Sequence, residues 1–425
     1  FMRIFAYNLI FLILLPFTVA RIIIKSFLDR DYLTNFRHRF GIYNEKSKNN
    51  PIWFHAVSLG EVIASETIIK KLLNDTSLVL TTSTPTGYRE AKKIYGDKIK
   101  ILYAPWDFIL FVKGFIRNFN PIALILFETE VWPSMIYLSE KRKIPIILCN
   151  GRLSESSYKN YLLFSFFAKY IFKKFSLVLA QSEQHVKNFK NIGILDKKIK
   201  QVGSVKFDTK NLKVKEPNQE KYLDNLILAT STHAGEDEII IDAYSKLRKE
   251  FADLKLIIVP RHPERSGSVL KAMDEKNINA KVSSNIPNEM NLLNAVVINA
   301  TGLLNSLYQM ADIAFIGGSL LSKYGGHNII EPASNKCAFI VGPYMRNFQD
   351  ILNLFTDQNA CMQIKSPDEL ISAYKELLNN NEFRINMIDN ASKVVSDNSG
   401  SSEKQYRYIN EIINYEISNG DNKTF

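Results

Sequence analysis

Phe315-Ile316-Gly317-Gly318-Ser319-Leu320-Leu321-Ser322-Lys323-Tyr324-Gly325-Gly326-His327-Asn328-Ile329-Ile330-Glu331-Pro332-Ala333 joins an apolar run to two glycine pairs and a polar cluster. Ala311–Ile316 has the length and apolarity of a buried parallel strand. Glycines at its carboxyl end let backbone approach a ligand without a Cβ in the way. Asn328–Ala333 reads as the opening of a helix, whose free N–H groups suit a phosphate. Glu331, in that first turn, can accept from ribose hydroxyls. A lone glycine pair would be an ordinary surface loop. Two pairs with His327, Asn328 and Glu331 between strand and helix point to a nucleotide site.

The same grammar repeats along the chain. Ile52–Ala56 leads to Val57-Ser58-Leu59-Gly60-Glu61 and a helical pattern to about Leu73. Leu78–Thr82 leads to Ser83–Gly87, Ile99–Tyr103 to Pro105–Asp107, and Ile122–Phe127 to Glu128-Thr129-Glu130. Pro145–Cys149 and Leu177–Ala180 follow. After a polar stretch, Lys206–Tyr222, the pattern restarts with Leu226–Ala229, Leu254–Val259, Val296–Ala300, the central strand and Ala338–Val341. Strands alternating with helices imply parallel sheets covered on both faces. Polar residues stand just after each strand, at the edge where open α/β sheets bind ligands. The predicted fold class is therefore α/β, two Rossmann-like doubly wound domains facing a cleft. The predicted organisation is an N-terminal membrane-anchor helix in residues 1–30, one domain in 31–210 and a second in 211–425. The helical patterns near the C-terminus, about Pro367–Asn379 and Glu382–Val395, read as packing elements of the second domain.

A length of 425 residues fits two domains better than one core. Three scattered cysteines argue against a disulfide framework and fit a reducing compartment. The formal charge of +11 leaves nucleic acid, anionic lipid or a phosphorylated substrate as partners. With no aromatic-basic RNA motif and no zinc-finger spacing, nucleic acid is the weakest of these. Ile4–Ala20 is apolar apart from Asn8 and Pro16 and is near the short limit for spanning a bilayer. Only Arg3 precedes it, whereas Arg21, Lys25, Arg30, Arg37 and Arg39 follow, which places the bulk of the chain on the cytoplasmic side. Thr18–Ile22 fits a small-x-small cleavage site poorly, so an anchor is favoured over a cleaved leader, with a buried N-terminal helix as the other alternative. Arg37 and Arg39 lie where they would meet anionic head groups or an acceptor.

At this point the chain resembles the Kdo transferases of lipopolysaccharide biosynthesis, which move 3-deoxy-D-manno-octulosonic acid (Kdo) from CMP-Kdo onto lipid A precursor. The stretches that carry the resemblance are Trp53–Glu61, Thr81–Gly87, Phe127–Pro133, Asn150–Ser154, Gly203–Asp208, Ala229–Glu236, Val259–Arg265, Ala311–Ser319 and Gly325–Ala333. They run in order over most of the chain. The resemblance implies the GT-B glycosyltransferase fold, an inverting transfer and a place at the inner membrane. It implies that Glu61 is the catalytic base, on an exposed turn, and that Glu128 and Lys206 stabilise the transition state. An inverting transfer needs one carboxylate to take the proton of the attacking hydroxyl. For the CMP donor it implies Pro260 and Arg261, the turn Thr301-Gly302-Leu303, and Asn328, Ile329, Ile330 and Glu331. Arginine suits phosphate through its planar fork of donors. Leu303 departs from the family, which has Glu there; backbone groups holding the nucleotide would tolerate the change, whereas a side-chain contact from that Glu would be lost and with it this segment's role. No Asp-x-Asp appears and the six histidines are dispersed, so no cofactor and a metal-independent reaction are expected.

Two rival readings share the architecture. A nucleotide-sugar epimerase would act on a soluble UDP-sugar and need no anchor. A non-catalytic membrane-bound nucleotide-binding module would bind without turnover. Candidate base and stabilisers in one half favour the transferase over the module.

Overall fold

The computed structural model describes residues 2–44, 46–47, 49–208, 225–286 and 292–421. The chain divides into two compact units, Phe1–Thr209 with Ser399–Phe425, and Lys210–Asn398.

In the first unit the strands are β1 (Ile52–His55), β2 (Leu78–Thr82), β3 (Lys100–Tyr103), β4 (Ala123–Phe127), β5 (Ile146–Gly151), β6 (Leu177–Ala180) and β7 (Ile199–Gln201). They form one parallel seven-stranded sheet in the order β3-β2-β1-β4-β5-β6-β7. Strands β1, β2, β4, β5 and β6 are buried along their whole length, as a sheet covered on both faces requires. The second unit has β8 (Leu226–Thr232), β9 (Lys255–Pro260), β10 (Ala280–Ser283), β11 (Ala295–Ile298), β12 (Ile313–Ile316), β13 (Ala338–Val341) and β14 (Met362–Gln363). Its parallel order is β10-β11-β9-β8-β12-β13-β14. The expected strands are present. The edge strands β7, β10 and β14 were not expected, because each is short and partly exposed and lacks the apolar run that marks a central strand.

Three expectations need correction. First, residues 399–425 do not join the second domain. Helix Ser401–Asp421 packs on the first unit, with Ile409 (0 % exposed) and Ile413 in the same core as β1 and β4. The sequence break lies at Gly400, whose positive φ ends the preceding helix Asn381–Asn398. Second, the N-terminal helix, Met2–Ser26, is not detached from the folded domains. Ile4 is buried in the core of the first unit, and Asn8 is bonded to Ser134 and to the backbone N of Ile109. Tyr7 donates to Asp107. Third, Arg39 is buried: its guanidinium donates to the Ser83 carbonyl and lies over the Tyr103 ring, so head groups do not reach it. Arg37 is exposed. Of the expected linker Lys206–Tyr222, Val205–Asp208 is a short 3-10 turn and 209–222 lies outside the described residues.

Ile409→Ala, far in sequence from the first unit's sheet, should cost about 2–5 kcal/mol in that unit. Calorimetry of the variant would show the lower transition. An unshifted melt would mean that helix Ser401–Asp421 contributes nothing to the core.

Candidate functional site

Each sheet has a reversal of strand order beside its first strand, between β1 and β4 in one and between β8 and β12 in the other. Connections leaving such a pair diverge to opposite faces and open a crevice at the carboxyl edge. In the first unit Val57–Glu61 follows β1 and Glu128–Glu130 follows β4, so two of the expected catalytic residues flank that reversal.

Glu61 stands in the first turn of helix Leu59–Asp75. It is 9 % exposed, not on an exposed turn as expected. Its carboxylate accepts from Val57 N at 2.8 Å and from Ser58 Oγ at 3.1 Å. Burial, followed by the negative charge of Glu130, pushes its pKa up to about 8, against the Val57 N–H. Burial also raises Glu130, to about 7. A carboxyl so placed holds its proton near neutrality, and once ionised it is a stronger base than an exposed glutamate.

Glu128 and Asn150 close β4 and β5 with positive φ, 62° and 52°. Non-glycine residues pay for that region in strain, and here the two turns aim side chains at one another. Lys206 Nζ lies 3.5 Å from Glu128 Oε1, and Asn150 Nδ2 donates to the same oxygen at 3.5 Å. Asn150 Oδ1 accepts from Val205 N, fixing the turn that carries Lys206. Gln405, fully buried on the C-terminal helix, accepts from Asn150 N at 2.7 Å. Asp208 accepts from Gly400 N and Ser402 N at the start of that helix. Lys206 is thus a placed ammonium and not a linker charge. Sequence reasoning missed Asn150 and Gln405 as positioning residues. Asn150, polar at a strand end before a glycine, carried a readable signal; Gln405, mid-helix and remote, carried none.

In the second unit Gly317 meets Ser231 at the reversal. A Cβ on Gly317 would stand 2.5 Å from the Ser231 carbonyl oxygen, which accounts for glycine there. Glu236, fully buried in the first turn of helix Glu236–Leu247, accepts from His233 N, Gly318 N and Leu320 N at 2.7–3.0 Å. It ties the loop after β12 to the loop after β8, a role the sequence did not disclose. His233 Nε2 and His327 Nε2 are 2.8 Å apart, and His233 stacks on Tyr324 at 3.8 Å. Burial pushes both histidines down to about 4, so at neutral pH one ring nitrogen donates to the other.

Asn328 Nδ2 donates to Glu331 Oε1 at 3.1 Å. Burial raises Glu331, while Asn328 and the charge of Arg261 oppose the rise. Arg261 is exposed just past β9, and Pro260 is the buried last residue of that strand. Ile329 and Ile330 are core side chains that offer only backbone, and Ile330 N already donates to Asn328 Oδ1. The helix they open, Ile330–Ser334, has 5 residues, so the expected phosphate-binding helix terminus is a single turn. Thr301 and Gly302 form an exposed turn and Leu303 caps helix Leu304–Met310. That helix reaches Ile330–Ser334 through Asn335 Nδ2 donating to Asn305 Oδ1 at 3.1 Å. Among the described residues no group of three or more His, Cys, Asp or Glu is arranged to hold a metal ion.

A family model for 3-deoxy-D-manno-octulosonic-acid transferases matches residues 34–209. A 3-deoxy-D-manno-octulosonic acid transferase of Haemophilus influenzae is 32% identical over 416 residues, covering 94% of this chain and 96% of that protein. One of Rickettsia typhi is 34% identical, covering 82% of this chain and 76% of its own. A solved glycosyltransferase from Rickettsia africae, 17% identical, covers 89% of this chain and 100% of that one with a TM-score of 0.56. A UDP-GlcNAc 2-epimerase from Neisseria meningitidis, 13% identical, covers 82% and 99% with a TM-score of 0.57. These two structures share the fold.

The raised Glu61 pKa has a consequence for stability. An unfolded glutamate ionises near 4.5, whereas the folded one keeps its proton to about 8. The unfolded chain therefore releases the proton first, and this group lowers stability as pH rises through that window. Glu61→Gln keeps the acceptor for Val57 N and removes the penalty. Its melting temperature relative to the parent should rise between pH 5 and pH 8 in calorimetry. A difference that stays flat with pH would show an ordinary carboxylate.

Proposed function

The chain belongs to the 3-deoxy-D-manno-octulosonic acid transferase family and is a Kdo glycosyltransferase, and from that premise we propose that CMP-Kdo is its donor and a lipid A precursor its acceptor. The observation that carries the chemistry is Glu61, a buried carboxylate at the β1/β4 reversal, raised by burial and by Glu130. In the reaction Glu61 takes the proton of the acceptor hydroxyl. The hydroxyl oxygen forms its bond to the anomeric carbon of Kdo with inversion. The bond from that carbon to the phosphate breaks, and its electron pair leaves with CMP. Lys206, held by Glu128 at 3.5 Å, offsets negative charge on the phosphate or on the Kdo carboxylate. Glu128 supports positive charge developing at the anomeric carbon. In the second unit Arg261 takes phosphate, and Asn328 with Glu331 takes the ribose. The turn Thr301–Leu303 contributes backbone groups, which accommodates Leu303. Charge is handled by these side chains with no metal in the scheme, so a chelator should leave turnover unchanged. The apolar N-terminal helix, with mean hydropathy 2.1, supports a place at the inner membrane, and the basic residues that follow it favour the cytoplasmic face.

The epimerase reading loses its ground, since the likeness to epimerases is one of fold alone.

Incubation with CMP-Kdo and a tetraacylated lipid A precursor, followed by mass spectrometry, should give products heavier by whole Kdo units. No mass increment with a folded protein would overturn the assignment. Glu61→Gln should cut turnover by about 10²–10⁴, and the parent's kcat/KM should rise with pH up to about 8, the base being active only without its proton. A variant retaining more than a tenth of parental activity would transfer the role to Glu128 or Glu130.

Glu331→Ala and Arg261→Ala should each weaken CMP binding by about 1–3 kcal/mol, the worth of a charge-assisted hydrogen bond. Calorimetric titration showing parental affinity in both would place the donor elsewhere.

A further inference from the structure

The N-terminal helix Met2–Ser26 is long and apolar enough to cross a bilayer, yet both of its ends are held by the same folded body. At one end Arg3 donates to the Phe166 carbonyl and lies over its ring. Tyr7 stacks on Phe167, Asn8 bonds Ser134 and Ile109 N, and Phe11 stacks on Phe108. At the other end the chain leaves the helix through Asp29 and Asp31, both paired with Arg89, while Tyr103 donates to the Asp31 carbonyl. A crossing helix has its ends on opposite sides of the membrane. The stretch between the held ends, Leu12–Ser26, rises roughly 22 Å at 1.5 Å per residue, less than the ~30 Å of hydrocarbon.

The exposed side chains of this helix are nonetheless apolar: Phe5, Leu9, Ile10, Leu12, Ile13 and Phe17 among them. A second apolar group lies against its first turn. Where helix Glu155–Leu163 meets helix Ser165–Phe172, Leu163, Phe164 and Phe166 are 77%, 71% and 68% exposed. Contiguous exposure of this extent marks an interaction surface. Beside it is a cavity of about 600 Å³ lined by Arg3, Phe166, Lys169, Lys173, Lys174 and Lys198. Glu140 also lines it and pairs with Lys174 at 3.0 Å, leaving the lining strongly cationic. Exposed Phe166, Lys169 and Lys173 share one face of their helix by spacing, so the cations border the apolar turn. Apolar side chains rimmed by cations complement an anionic lipid surface.

We propose that the N-terminal helix does not cross the bilayer but lies in the plane of an anionic lipid surface together with the apolar turn Leu162–Phe166, while the Arg3–Lys169–Lys173 cluster takes lipid phosphates. The proposal rests on the membrane reading of the helix and is independent of the transfer reaction.

The test uses the full chain carrying Ile13→Cys or Phe164→Cys, each labelled with a fluorophore; the native Cys149, Cys337 and Cys361 are buried. Vesicles of phosphatidylcholine with phosphatidylglycerol carry quenchers at shallow or deep positions. Both labels should be quenched more by the shallow probe. An Ile13 label at the bilayer centre with a Phe164 label in water would show a crossing helix and overturn the proposal. A Phe164 label in water with any Ile13 depth would do the same for the turn. Lys169→Gln with Lys173→Gln should weaken binding to the anionic vesicles about 30-fold, at roughly fivefold per lysine, with binding to pure phosphatidylcholine unchanged. Equal affinity of variant and parent for anionic vesicles would overturn the phosphate assignment. Neither readout needs turnover, so failure of the transferase assignment and failure of this proposal are separately visible.

Discussion

Each sheet is parallel throughout and reverses its strand order beside its first strand, and the placement of the candidate functional groups follows from that constraint. Only at a reversal do the chains leaving adjacent strands part, and only there is the carboxyl edge open. Glu61 and Glu236 occupy equivalent places, each in the first turn of the helix that leaves the first strand of its unit. Their partners differ. Glu236 accepts from three backbone N–H groups, two of them across the reversal, and so fastens the glycine-rich loop. Glu61 bonds only within its own turn and has carboxylates as further neighbours. The same position therefore gives a structural clamp in one unit and a candidate base in the other.

Lys206 depends on parts of the chain far from it. Its turn is held by Asn150, Asn150 by Gln405, and the helix bearing Gln405 by Asp208 at its start and Ile409 in its core. The chain returns to the first unit after completing the second, and this return closes the network. A substitution on the C-terminal helix is coupled to the Glu128–Lys206 pair without touching it, because a shift of Asn150 moves both ends of the pair.

The central strands and the turns that follow them were readable, since apolar runs bounded by polar or glycine residues have few other uses. Glu61 and Glu128 follow strands, and Glu331 opens a helix, at the places the sequence implies. What was not readable was non-local. Residues 399–425 show no composition shift that says which unit they join; packing of Ile409 and Ile413 decides it. Arg39 lies in a basic run that reads as surface, but Ser83 and Tyr103, distant in sequence, enclose it. Asn8 interrupts an apolar run as if by accident, whereas Ser134 and Ile109 N complete its hydrogen bonds. Burial of Glu61 was missed because a helix-start glutamate is usually solvated, and only the neighbouring strands show otherwise.

The charge state of the first-unit site follows from the same burial. Near neutral pH the raised Glu61 is mostly protonated and Glu130 partly so, while Glu128 faces the Lys206 ammonium. Two ionised carboxylates side by side in a poorly solvated place would be costly, and the raised Glu61 and Glu130 avoid that arrangement. In the proposed transfer the protonated Glu61 cannot act as the base. A hydroxyl that donates to the carboxylate favours its ionised form, and so does positive charge growing on a sugar ring nearby. Both arrive with the reactants. In the proposed transfer, burial thus holds Glu61 neutral near pH 7, and ionisation becomes most favourable where a hydroxyl donates to it.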